Sequence, residues 1–78
     1  MPTYFFDLVD ESVIVTDPEG QDLPDLEAAR NEGTQGAREL IAQAARAGID
    51  CTHRAFRVRK EDGEIVLTIL FAGTIKRP

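Results

Sequence analysis

The chain is poor in the residues on which most chemistry depends. Its 78 residues include a single cysteine and a single histidine. One cysteine excludes an internal disulfide and fits a reducing compartment. Cys51 and His53 together fall short of the ligand set of a zinc site. They are also the only Cys–His pair available for nucleophilic catalysis, and no obvious third group orients the imidazole. Packing or a loop position is the simpler role for both. No catalytic residue is assigned, and the chain is not expected to be an enzyme. No apolar run approaches the ~20 residues that span a bilayer, and the N-terminus lacks a basic region with a cleavable apolar run. A cytoplasmic domain without membrane contact is the expectation. No phosphate-binding glycine loop follows a strand, so no cofactor is expected.

Bases are scarce in the first part of the chain. Residues 1–32 carry nine acidic side chains and one base, Arg30, for a net −8; residues 33–78 carry five acids and eight bases, for +3. The total of −5 argues against non-specific nucleic-acid binding, though it leaves room for a local basic strip. The asymmetry reads first as charge placed for solubility, and second as head-to-tail attraction between copies. Asp17, Glu19, Asp22 and Asp25 cluster in sequence, but their spacing is not that of a calcium loop. Each has a simpler task in a turn, a cap or water, and no metal site is assigned.

What is present is periodicity. From Leu26, apolar or small residues recur at Ala29, Gly33, Ala37, Leu40, Ile41, Ala44 and Gly48. These steps of three and four predict one long helix with a single buried stripe. Asp25 is the expected N-cap, and Gly48 fits the left-handed position after the last turn. Gly33 and Gly36 each cost roughly 1 kcal/mol against alanine in a helix interior. Either they let the backbone approach a sheet, which is the preferred reading, or the helix breaks between them.

The flanking segments alternate as strands. Thr3–Val9 and Val13–Thr16 read as one hairpin, and Arg54–Arg59 and Glu64–Phe71 as another, closed by Asp62-Gly63. The expected fold is α+β, ββαββ: a four-stranded sheet with one long helix packed on one face. It forms a single domain over residues 1–78, with 72–78 as a frayed tail. The first and fourth strands are the most apolar and are placed centrally, giving the spatial order 2-1-4-3.

One helix covers one face of such a sheet. Phe5, Val9, Val66 and Leu70 then lie on the other, where leaving each exposed forgoes roughly 1.5–3 kcal/mol. A contiguous apolar patch of that kind marks an interface, most simply a two-fold homodimer, although another protein fits as well. The alternative is that the tail or the Leu23 loop folds over this face. Arg54, Arg57, Arg59 and Lys60 form a second candidate surface, where phosphate contact competes with the simpler role of a charged edge strand.

Three stretches carry a resemblance: Met1 to Asp7, Asp17-Pro-Glu-Gly-Gln-Asp-Leu-Pro-Asp-Leu-Glu-Ala-Ala-Arg30, and Val58-Arg-Lys-Glu-Asp-Gly-Glu-Ile-Val-Leu-Thr-Ile-Leu-Phe71. Over nearly its whole length the chain resembles a family of short bacterial proteins catalogued only as a domain of unknown function. The resemblance implies a small stand-alone cytoplasmic domain and carries no activity or site. Gly33 and Gly36 depart from that family's alanine-rich helix. In layout the chain is also similar to HicB-type antitoxin domains, which neutralise an RNA-cleaving toxin, and any transfer of function from layout is analogy. The first expectation is therefore a non-enzymatic interaction or regulatory module, a homodimer through its open sheet face. A toxin-neutralising or RNA-facing domain is the second.

Overall fold

The computed structural model describes residues 1–76 and 78. Strand β1 spans Thr3–Asp10, β2 Val13–Val15 and β3 Gln21–Asp22; helix α1 spans Leu26–Arg46; β4 spans Ala55–Lys60 and β5 Ile65–Leu70; a 3-10 turn, Phe71–Thr74, follows. The α+β class is as expected. The sheet has five strands, because the two-residue β3 pairs with Thr3 and Tyr4. It shares one side of β1 with β2, while β4 takes the other.

Helix α1 is continuous through both glycines. The Asp25 carboxylate accepts the Ala28 N–H at 2.8 Å. At the other end Ile49 donates its N–H to the Ala44 carbonyl and Gly48 to that of Ala45, with Gly48 at φ +76°. This is the Schellman arrangement, which satisfies carbonyls that the ended helix leaves free. Ala29, Gly33 and Ala37 are its buried residues. A Cβ added to Gly33 would lie 2.2 Å from Ile69 Cδ1 and 3.3 Å from Phe6 Cε2. Gly33 is thus the point where helix backbone and sheet approach too closely for a side chain.

The core lies between α1 and the inner sheet face. Tyr4, Ala29, Val58 and Ile69 form one cluster; Ala37, Cys51 and Phe71 form another, with Phe56 packed against both. Phe71 closes the second cluster from the 3-10 turn, not from the strand. The frayed tail expected from Ala72 does not begin there. Thr74 is buried, its hydroxyl donates to the Phe71 carbonyl at 2.7 Å, and Arg38 Nε donates to its own carbonyl at 2.7 Å. Arg77 lies outside the described residues.

The strand order needs correction. It is β2-β1-β4-β5, so the strand at 55–60 is central and the apolar strand at 65–70 is an edge. Charge pairing decides this. Asp7 is only 6% exposed and its carboxylate meets Arg59 Nε at 2.8 Å, while Asp10 meets Arg54 Nε at 2.8 Å. With the uncharged 65–70 strand beside β1, Asp7 would be buried without a cation, at a cost of several kcal/mol.

Candidate interaction face

The register sets out the outer sheet face as three rows. Ile14, Val9, Ala55 and Leu70 stand side by side across all four long-order strands. Asp7, Arg57 and Thr68 form the next row, and Phe5, Arg59 and Ile65 the third. Side chains alternate between faces along a strand, so each row projects from the sheet together.

The Phe5 and Arg59 part of the third row is roofed by the chain itself. Between β2 and β3 the segment Thr16–Gly20 runs against β1, and Asp17 fills the gap that those two short strands leave. Its carboxylate accepts N–H groups from Phe6 at 3.1 Å, Glu19 at 3.1 Å and Gly20 at 3.2 Å. Its own N–H donates to Asp7 Oδ1 at 2.9 Å. Gly20 sits against the Phe5 ring, where a Cβ would come within 2.7 Å, and its φ of +71° is one that glycine adopts freely. The Arg59 guanidinium stacks 4.4 Å from the Phe5 centroid and donates to the Asp17 carbonyl at 3.3 Å. Partial burial pushes the Asp17 carboxyl up, but the three N–H donors and the nearby Arg59 charge outweigh it and hold the group below its ordinary value.

The first row is open. Leu70 is 62% exposed, Ile14 48%, and Val9 and Ala55 are half-buried. Of the four residues assigned to this face from sequence, Val9 and Leu70 share this row. Phe5 lies on the same face beneath Arg59 and Gly20. Val66 does not join them. A bulge puts Ile65 opposite Arg59 while Leu67 stays opposite Val58, so Val66 is the extra residue and packs against the core cluster. Ile65, 52% exposed, takes its place outside. Apolar exposure extends beyond this face: Val13 and Val15 in β2 are 60% and 56% exposed.

Three of the four basic candidates are already engaged. Arg54 pairs with Asp10, Arg59 with Asp7, and Lys60 approaches Glu64 at 4.0 Å. Among the described residues Arg57 makes no ion pair. Cys51 and His53 are not brought together. The thiol is buried and points at the Leu40 carbonyl, 3.7 Å away, whereas His53 is exposed with Nε2 2.8 Å from Asp10 Oδ1. That hydrogen bond, followed by the one from Arg54, holds the Asp10 carboxyl below its usual range. Asp10, Glu11 and His53 do offer ligand atoms within 4.8 Å of one another. A cation there would have to break the His53–Asp10 hydrogen bond and compete with the Arg54 charge on the same carboxylate. The four acids of the 17–25 stretch do not converge: Asp22 accepts from the Thr3 hydroxyl at 2.6 Å and Asp25 caps the helix.

Fold and face together define a small α+β module: one helix on an antiparallel sheet, with an apolar row crossing the uncovered side. The chain belongs to the family described as a domain of unknown function, DUF6894, whose family model matches residues 3–72. No curated protein and no solved structure matches the chain. No helix is long and apolar enough to cross a membrane among the described residues.

Proposed function

We propose that this protein is a non-enzymatic interaction module that acts as a homodimer through its outer sheet face. The observation that carries this reading is the unbroken apolar row Ile14, Val9, Ala55 and Leu70. A two-fold axis through the face lays that row against its own copy, so one surface serves both partners. Burying four such side chains removes apolar area from water at about 25 cal/mol per Å². Beyond the open row, Asp7 of the middle row and Arg59 of the third, fixed by each other and by Asp17, supply a polar rim that needs no rearrangement. Arg57, between the two rows, has room to meet an acid of the partner.

The RNA-facing alternative draws less support, because Arg54, Arg59 and Lys60 already have acidic neighbours. Light scattering after size exclusion tests the dimer directly. The wild type is expected at no less than twice its 8.6 kDa. Val9→Lys with Ile14→Lys places two charges in the row and is expected to abolish face-to-face pairing. Unchanged assembly in that variant overturns the reading.

A further inference from the structure

The two flanks of α1 carry opposite charge. On the side toward β1 the cleft beneath the helix is lined by Asp17 and Glu32 among others. On the other side a groove of about 290 Å³ runs between the helix and β5, and no acidic side chain lines it. Arg30 and Thr34 form its helical wall, and Arg38 continues the same stripe, each four residues from the last. Gly33 faces Ile69, and Arg38 Nε reaches the Thr74 carbonyl at 2.7 Å. Arg30 therefore stands at the Thr68 end of the groove and Arg38 at the Thr74 end. Both are exposed, and neither makes an ion pair among the described residues.

The cationic flank lies along an open sheet edge. Among the described residues nothing pairs with the far side of β5. Phe71 donates its N–H to the Arg54 carbonyl across the β4–β5 ladder at 3.0 Å. Backbone groups alternate in direction along a strand, so those of Thr68 and Leu70 point away from β4. Folded chains guard such edges with charges, prolines or very short strands. The opposite edge is guarded by brevity, since β2 has three residues. Strand β5 has six, with no charge and no proline.

We infer that the β5 edge and this flank together bind an extended acidic segment of another protein, which joins the sheet as its outermost strand. Charge selects that occupant, and spacing specifies it. A strand laid on the edge makes main-chain hydrogen bonds to Thr68 and Leu70 and turns alternate side chains under the helix. Those opposite Leu67, Ile69 and Phe71 face the arginine stripe. The first and third of them are about 13 Å apart in a strand, and Arg30 and Arg38 are about 12 Å apart along the helix. A segment with acids four residues apart therefore brings one carboxylate to each arginine. Its middle side chain, apolar or β-branched, lies beside Thr34 and Ile69. A basic strand would set cations against both arginines, and the β5 strand of a second copy brings no acid at all. Occupation of the edge uses the backbone and inner side of β5, so it does not require the outer face to pair.

NMR titration of the full chain with three short threonine/valine peptides tests this. One carries two glutamates four residues apart, and one carries lysines in their place. The third has its glutamates three apart, which sends them to opposite sides of a strand. The first is expected to bind and to slow solvent exchange of the Thr68 and Leu70 amides. The other two are expected to bind at least about fivefold more weakly. Arg30→Glu should weaken the glutamate peptide and strengthen the lysine one. Thr68→Pro removes an outward N–H where an edge strand tolerates proline and should weaken both; Arg30→Glu serves alone if that variant does not fold. Val9→Lys with Ile14→Lys should leave peptide affinity unchanged, so failure of the face and failure of the edge are told apart. No binding at millimolar peptide overturns the inference, as does equal binding of all three peptides. Binding that leaves the Thr68 and Leu70 amides in fast exchange overturns it too. Protection of both amides that grows with protein concentration in the absence of peptide would place a second copy on the edge, and likewise overturns it.

Discussion

Gly33 and Gly36 lie one helical turn apart and should respond to the same substitution with opposite signs. In a helix interior, glycine to alanine gains about 1 kcal/mol from backbone propensity alone. At Gly36 that gain is free to appear, because the new Cβ would meet only Phe56 Cε2 at 3.5 Å, an ordinary contact. At Gly33 the Cβ would sit 2.2 Å from Ile69 Cδ1, and Ile69 is itself 6% exposed and has little room to turn aside. Overpacking of a filled core costs about 1–3 kcal/mol. The net at Gly33 is then a loss of up to about 2 kcal/mol, against a gain approaching 1 kcal/mol at Gly36. In a domain of this size 1 kcal/mol moves Tm by about 4–8 °C. Urea titrations at one fixed protein concentration resolve both changes, the fixed concentration being needed because association adds to stability. The cause is tested by trimming Ile69 to valine, which removes Cδ1. In that background Gly33→Ala should turn from destabilising to stabilising. If Gly33→Ala stabilises the wild-type chain as much as Gly36→Ala does, the close helix–sheet contact is refuted.

Asp17→Ala should destabilise by roughly 1–3 kcal/mol, because it leaves the Phe6, Glu19 and Gly20 N–H groups without their acceptor; a denaturant midpoint equal to wild type would contradict this. The carboxyls of Asp17, Asp10 and Asp50 are lowered in the folded state. Between those values and the ordinary carboxylate value of about 4 the unfolded chain binds more protons, so stability falls as pH drops below about 4 and is retained above it. Thermal melts from pH 6 to pH 2 check the sign, and Asp17→Asn should shrink the acid loss. Glu11 sits at φ +54° in the β1–β2 turn, so Glu11→Gly should raise stability by up to about 1 kcal/mol, read from the same melts. Cys51, 1% exposed, should react with iodoacetamide slowly when native and rapidly in urea; fast native alkylation would contradict its burial.

Much of the fold was legible because it rests on local signals. Asp25, Gly48 and the small residues between them specify α1 and its ends without tertiary information. Asp62-Gly63 does the same for the second hairpin, where Gly63 takes φ +90°. Strand order was not legible from apolarity. Apolarity puts the 65–70 strand at the centre, whereas the middle of this sheet is held by Asp7 and Asp10 against Arg59 and Arg54. A signal existed: an acid inside an aromatic strand, with bases at alternate positions in another strand of matching length. The bulge at Val66 had none, since no glycine marks it, and it exchanged Val66 for Ile65 on the outer face. Asp17 as a stand-in for a strand partner was likewise hidden, because an Asp-Pro-Glu-Gly turn explains its presence without reference to Phe6. Of the four residues assigned to the face, Val9 and Leu70 lie in the open row, Phe5 lies beneath Arg59 and Gly20, and Val66 is part-buried against the core cluster.

Sedimentation equilibrium of the unmodified chain over a dilution series bears most directly on whether the uncovered sheet recruits a second copy. The expected result is a weight-average mass that climbs with concentration to at least twice 8.6 kDa. A mass fixed at 8.6 kDa across the series would show that no second copy covers the Ile14, Val9, Ala55 and Leu70 row.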